Sequence, residues 1–315
     1  MEHSVRKKKK HWLLRILGLL LLVMLTALMI LGIRLVPAAD RLQRALASQN
    51  CAITLEISPD MRALTADQQK FIRILSGLTG VEEDGWQELT MQGGYDGKAV
   101  ELTVYAGQDA EITQLYLTQD CQAINLHTIY DRAYHHLTEK VGLLALVLPQ
   151  WNFGDYISLQ QLEEAFDLEL GELPDVQGKL KQLQSKLNLP FMCGVILSAD
   201  GWDKESGKLV YHIADGDRRI ELFNRLLQKT GNSRQGEQWQ LPDGMELDVF
   251  IYLSEPHVRM EITGQMPGLE QLTDWSAELL WEGYIPQGDN ISMIDQQLLK
   301  DLSELLKLLE SLQDR

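Results

Sequence analysis

One long stretch of this chain has no alternation of polar and apolar positions. From Ile16 to Ile33 eighteen residues pass without a charge, most of them Leu, Ile, Met or Val. Extended to Trp12 and Val36 the stretch reaches 25 residues, against the ~20 that span ~30 Å of hydrocarbon. It predicts a transmembrane helix over 12–36. Beyond Pro37 the pattern changes to short periods. Residues 40–47 recur at helical spacing, with Asp40 as the expected cap. Cys51 to Ile57 alternates as a strand does. Phe71, Ile74, Leu75 and Leu78 give residues 65–78 an amphipathic helix. Strands are expected at 86–92, 99–106, 111–118 and 122–129, separated by turn chemistry in Gly93-Gly-Tyr-Asp-Gly97 and Ala106-Gly-Gln-Asp109. A helix over 132–147 stops before Pro149.

A second run in the same order begins near Pro174. It predicts a helix over 176–187, a strand over Phe191–Leu197, a hairpin loop over Asp200–Gly207 and a strand over Lys208–Ile213. A helix over Asp217–Lys229 comes next, then strands at 245–253, 257–263 and 275–282. The last helix, 295–313, carries Leu298, Leu302, Leu305, Leu309 and Leu312 on one face. Landmarks pair across the two runs: Cys51-Ala-Ile-Thr-Leu with Cys193-Gly-Val-Ile-Leu, Glu101-Leu-Thr-Val with Glu246-Leu-Asp-Val, and Tyr130 with Tyr284. The expected organisation is a cytoplasmic basic tail (1–11), the membrane helix (12–36), a first α+β half (37–148), a linker (149–173) and a second α+β half (174–315). Strands joined as hairpins, without a crossover helix after each, require antiparallel sheet. The fold class is therefore α+β, with helices packed on antiparallel sheet. It is read either as two duplicated halves or as one continuous curved half-barrel. The second arrangement resembles, in architecture alone, the lipoprotein-carrier type of envelope protein, whose sheet encloses a greasy cavity.

Charge fixes the orientation. Residues 1–36 hold seven basic side chains and one acid, five of the basic ones in the run Arg6–Lys10. Short basic flanks stay in the cytoplasm, and Trp12, Arg15 and Arg34 suit the two interfaces as membrane anchors. The competing reading is a cleaved signal peptide ending near Ala39; the length of the apolar run and Arg34 just before the cleavage point oppose it. The remainder holds 22 basic and 44 acidic residues. A body that acidic repels nucleic acid, so nucleic-acid binding is excluded. The bilayer, met through 12–36, is one partner; an envelope protein, a lipid or a wall component is the other. Three cysteines, Cys51, Cys121 and Cys193, make no disulfide framework and read as buried thiols in two separate cores.

Candidate chemistry is sparse. His135 and Glu139 stand one helical turn apart but lack the further ligands of a zinc site. The acids Asp200, Asp203 and Glu205, and Asp215 with Asp217, do not follow a calcium loop and read as turn and cap residues. No nucleophile elbow, phosphate loop or dinucleotide fingerprint occurs. Six tryptophans (86, 151, 202, 239, 275, 281) serve as core anchors or line a groove. Asn290-Ile-Ser292 has the glycosylation pattern, and Ser292 with Asp295 reads as a capping box. No cofactor, metal set or catalytic residue is nominated. The function expected is a non-enzymatic binding or scaffold module of the cell envelope, tethered to the membrane; the alternative is an anchored hydrolase using carboxylates.

Overall fold

A computed structural model of the chain describes residues 32–48, 50–107, 110–118, 120–146, 154–158, 160–161, 164, 188–203, 205–229, 243–253, 257–265, 272–282, 284 and 291–295. Trp12 and Arg15, most of the expected 12–36 span, and the helices expected at 176–187 and 295–313 lie outside these residues. Among those described, no helix is long and apolar enough to cross a membrane.

The first element, α1 (32–47), runs through the position read as its cap. Asp40 sits inside the helix, its carboxylate 2.6 Å from Arg44 one turn on. Leu35, Ala39, Leu42 and Ala45 form its buried stripe, the three-and-four spacing of one helical face. Then come β1 (Cys51–Pro59), α2 (Ala66–Thr79), a 3₁₀ turn at Glu83–Gln87, β2 (Leu89–Tyr95), β3 (Val100–Ala106), β4 (Ala110–Leu117) and β5 (Gln122–Asn125). The strand expected over 122–129 ends early. Asn125 accepts the Thr128 N–H at 3.0 Å and caps α3 (Leu126–Lys140), after which a 3₁₀ turn runs over Gly142–Leu146. Strand β6 (Tyr156–Ser158) falls within the stretch read as linker.

The strand expected over Phe191–Leu197 is instead a helix, α4 (Leu189–Leu197). Asn188 accepts the Phe191 N–H at 2.9 Å and Pro190 occupies the first turn, both helix-start signals. After it come β7 (Gly201–Trp202), β8 (Lys208–Ala214), α5 (Arg218–Lys229), β9 (Glu246–Tyr252), β10 (Arg259–Gln265) and β11 (Leu272–Trp281).

All eleven strands belong to one antiparallel sheet, ordered β6-β5-β4-β3-β2-β1-β11-β10-β9-β8-β7. Two meanders meet where β1 pairs β11, with Cys51 opposite Trp281 and Ile57 opposite Trp275. The described strands thus form one continuous sheet. The order strand, helix, three strands occurs twice, as β1-α2-β2-β3-β4 and β8-α5-β9-β10-β11. The sequence landmarks do not sit on equivalent elements of the two. Glu101–Val104 lies on β3 but Glu246–Val249 on β9, the counterpart of β2; Cys51 opens β1, whereas Cys193 is helical. The two thiols also share one core: Cys51 is buried in the cluster against which Cys193 packs. All three cysteines are free.

Candidate functional site

Side chains along a strand alternate between faces, so the registers sort the whole sheet into two surfaces. Cys51, Ile53, Leu55 and Ile57 of β1 share a face with Trp281, Leu279 and Ala277 of β11, then with Met260 and Ile262 of β10 and with Ile251 and Val249 of β9. On the other side the same face continues through Met91, Leu102, Val104 and Leu115. It is apolar nearly throughout. The opposite face carries Thr54, Glu56, Ser276, Glu278, Glu261, Thr263, Asp248, Gln92, Glu101 and Thr103.

Among the described residues two buried cores lie on the apolar face. Over β8–β11 and the start of β1, α1 and α4 close a core of Leu42, Met192, Leu209, Tyr211 and Trp281. At the far end of β2–β4, Ile72 and Leu75 of α2 close a smaller core with Trp86, Ala106 and Ile112. Among the described residues neither core includes Leu55, Ile57, Met91, Leu102, Val104, Leu115 or Ile262, all half-buried. This central apolar strip is the candidate site.

The polar face offers less. A cleft of about 440 Å³ there is bordered by Glu56, Ser58, Asp248, Thr263, Trp275 and Ser276. Its acids are already engaged: Ser276 Oγ donates to Glu56 at 3.1 Å, and His212 lies 2.8 Å from Asp248, which raises the histidine pKa. A smaller cavity of about 70 Å³ lies among Gln92, Glu101, Gln114, Tyr156 and Tyr284. Tyr284 Oη donates to Glu101 at 2.6 Å, and burial, then that carboxylate, raises the tyrosine pKa.

The acid clusters turn out to build the fold. Asp203 accepts the Glu205 N–H at 2.9 Å in the β7–β8 turn. Asp200 and Asp217 both hold the Arg219 guanidinium, Asp200 at 2.6 Å. His135 pairs with Asp131 at 3.5 Å on an exposed stretch of α3. Among the described residues no three His, Cys, Asp or Glu side chains stand together as a metal set. One arrangement that the sequence gives no sign of joins Ser292, Asp155 and His127. Ser292 Oγ donates to Asp155 at 2.8 Å and His127 Nδ1 lies 2.9 Å from the same carboxylate. The acid sits in the middle, so the histidine cannot take the serine proton and no nucleophilic relay results. Ser292 ties the chain to the start of β6; the helix it is expected to cap lies outside the described residues.

Trp86 and Trp281 are core residues, Trp202 packs at the edge of the larger core, and Trp275 is half-buried; Trp151 and Trp239 lie outside the described residues. Arg34 is exposed on α1. The outer side of α3 leaves a second apolar surface: a groove of about 340 Å³ between Leu78, Leu126, Ile129, Tyr130, Ala133 and Leu137. Leu143 and Leu146 beside it are 74% and 84% exposed.

Burial pushes the Cys51 thiol up to about 11. The nucleophile is the thiolate, so at pH 8 native Cys51 should alkylate about a hundredfold more slowly than the same residue in urea. Peptide mass spectrometry after timed iodoacetamide treatment reads this directly. Equal rates in both states would show that the core cluster around Cys51 is open.

No protein-family model matches the chain, and no curated protein matches it.

Proposed function

We propose that the protein is a membrane-tethered, non-enzymatic binding module of the cell envelope whose ligand is apolar, of the class of a lipid acyl chain. The observation that carries this reading is the apolar strip through Leu55, Met91, Leu102 and Leu115, which lies outside both helix-lined cores. A half-buried apolar strip that neither described core takes up, on a sheet whose other face is polar, suits an apolar ligand. Tethering rests on the uncharged run Ile16–Ile33 and the one-sided basic flank. An anchor over 12–36 would run directly into α1, whose Leu35, Ala39 and Leu42 already belong to the larger core. The body would then stand at the outer membrane surface without a flexible spacer. The twofold order of strand, helix and three strands is consistent with an internal duplication in a register one strand removed from the sequence landmarks.

Carboxylate hydrolysis gains nothing from Asp155, Asp200 or Asp217, each of which holds a structural partner.

The test is titration of the full chain, in detergent micelles, with a dansyl-labelled fatty acid. Saturable binding is expected. Leu102→Asp should weaken it at least tenfold, about 1.4 kcal/mol. Thr103→Asp, one residue along on the polar face, should leave it within twofold. Thermal midpoints separate lost binding from lost fold, with Leu115→Asn as a milder second variant. Absence of saturable binding, or equal loss in both variants, would remove the proposal.

A further inference from the structure

We propose that the ligand of the apolar strip carries a neutral carbonyl oxygen, the ester group of an acyl lipid, and that the indole N–H groups of Trp86 and Trp275 bind it; this rests on the function proposed above. An indole N–H only donates, and donors in a protein interior nearly always meet an acceptor. Trp86 Nε1 and Trp275 Nε1 are both buried, and neither meets one among the described residues. Trp86 as a whole is only 7% exposed. The sequence offers these tryptophans as core anchors or groove walls, and an anchor with its donor unpaired is the costlier use.

Register brings the two donors to one end of the strip. Leu89 pairs Ile57 of β1, and Ile57 pairs Trp275 of β11. Trp86 stands on the 3₁₀ turn just before β2, in the small core against which Leu89 packs. The indoles therefore flank Ile57 from opposite sides, and Ile57 belongs to the strip. Trp275 also borders the cleft of the polar face, but its ring lies on the apolar one. Its partner on β10 is Gly264, two residues from Ile262 and so on the same face. A Cβ built on Gly264 would meet Trp275 Cζ2 at 3.3 Å and Leu247 Cδ2 at 2.6 Å. Cζ2 is bonded to the ring carbon that carries Nε1, so the donor edge of the indole lies over Gly264.

The donors select the acceptor. Two indoles supply dipoles and no charge, whereas a buried carboxylate needs a cation to offset its desolvation. The body beyond Pro37 holds twice as many acids as bases, which further disfavours an anion. A neutral ester carbonyl costs far less to bury and has lone pairs for both donors. Its acyl chain then lies over Leu55, Met91 and Leu102.

The test is titration of the full chain, in micelles of a detergent without carbonyl groups, with three pyrene-labelled probes of equal length. One is a fatty acid methyl ester, one the free acid and one the alkane. The ester should bind at least fivefold more tightly than either of the others. Trp86→Phe and Trp275→Phe keep an apolar ring and remove the donor. Each should weaken the ester about threefold and the two together about tenfold, the net worth of one and of two hydrogen bonds, while the alkane stays within twofold. Trp202→Phe, beside the larger core, should change neither. The infrared band of the ester carbonyl gives a reading that packing alone does not move: it should lie at lower frequency on the wild type than on the double variant. Should Trp86→Phe fail to fold, Trp275→Phe alone decides. Equal affinity for ester and alkane, tightest binding of the free acid, or an ester affinity and carbonyl band unchanged in the variants would each overturn the inference and leave apolar binding standing. If none of the three probes binds saturably, the inference falls together with the proposed function.

Discussion

Gly93→Ala is expected to lower the thermal midpoint by about 6–12 °C, roughly 3 kcal/mol for a chain of this size. Gly93 lies inside β2, opposite Leu102. A Cβ built there would sit 1.9 Å from the Glu101 carbonyl oxygen and 3.0 Å from the Leu102 Cα. Both contacts are backbone, so no rotamer change relieves them; β2 and β3 must part by more than an ångström. That loosens the ladder between Gly93–Gly94 and Glu101–Leu102, directly beneath the proposed binding strip. The neighbour, Gly94, is closed as well. A Cβ on it would meet the Cys51 carbonyl oxygen and the Tyr284 ring, each at 2.4 Å. Glycine inside a strand often marks such an approach of another backbone. Gly201→Ala in β7 is the control, because its nearest heavy atom is Val210 Cβ at 3.8 Å. With the unfolded chain losing entropy, that change should stabilise by about 0.4–1 kcal/mol. If both variants melt alike, the close approach in β2 is not a constraint on the fold.

The same glycines show what local pattern leaves illegible. Gly93-Gly94 has turn chemistry, and the turn does begin two residues on, where Asp96 accepts the Lys98 and Ala99 N–H groups at 2.8 Å. What keeps the pair in the strand is Tyr284, distant in the sequence but packed against Gly94. Alternation is local, and it marked β1, β3, β4, β8, β9, β10 and β11 correctly. Phe191–Leu197 is apolar at every position but Gly194, and periodicity cannot separate a short buried helix from a buried strand. The decision lay in Asn188 and Pro190, just upstream. Pairing of β1 with β11 has no local signature at all, and it turns two apparent halves into one sheet. The apolar strip was half legible: the phase of each strand can be read in Cys51-Ile53-Leu55-Ile57, but not which strands lie side by side. Arg219 escaped notice for the same reason, since its acids read as turn and cap residues and its third partner lies on a neighbouring strand.

Arg219→Ala is expected to cost about 2–3 kcal/mol, a fall of about 4–12 °C, although the residue touches no ligand surface. β7 pairs only Val210 and Leu209 of β8, so past Val210 the edge of the sheet is finished by side chains. Asp200 Oδ2 accepts the His212 N–H at 2.7 Å. Arg219 donates to the His212 carbonyl, to Asp200 at 2.6 Å and, through Nε, to Asp217 at 2.8 Å. Its side chain is 17% exposed and that of Asp217 14%, while Asp200 is half exposed and is discounted accordingly. Removing the guanidinium leaves two neighbouring carboxylates without their cation and one strand-edge carbonyl without its donor. Arg44→Ala is the comparison. That residue also faces an aspartate at 2.6 Å, but with 74% and 50% of the two side chains exposed it should cost at most about 0.5 kcal/mol. The pH dependence has a definite sign. The His212 N–H holds Asp200 below the ordinary carboxylate range, with Arg219 second, and the Arg219 hydrogen bond does the same for Asp217. Folded values that are depressed contribute stability above the unfolded carboxylate pKa and lose it as pH falls through the folded ones. The gap between wild type and Arg219→Ala should therefore be constant from neutral pH down to the ordinary carboxylate range and close below it. Chemical denaturation at stepped pH measures the gap. If it stays unchanged in acid, Arg219 holds the edge through the His212 carbonyl alone and the two carboxylates are bystanders.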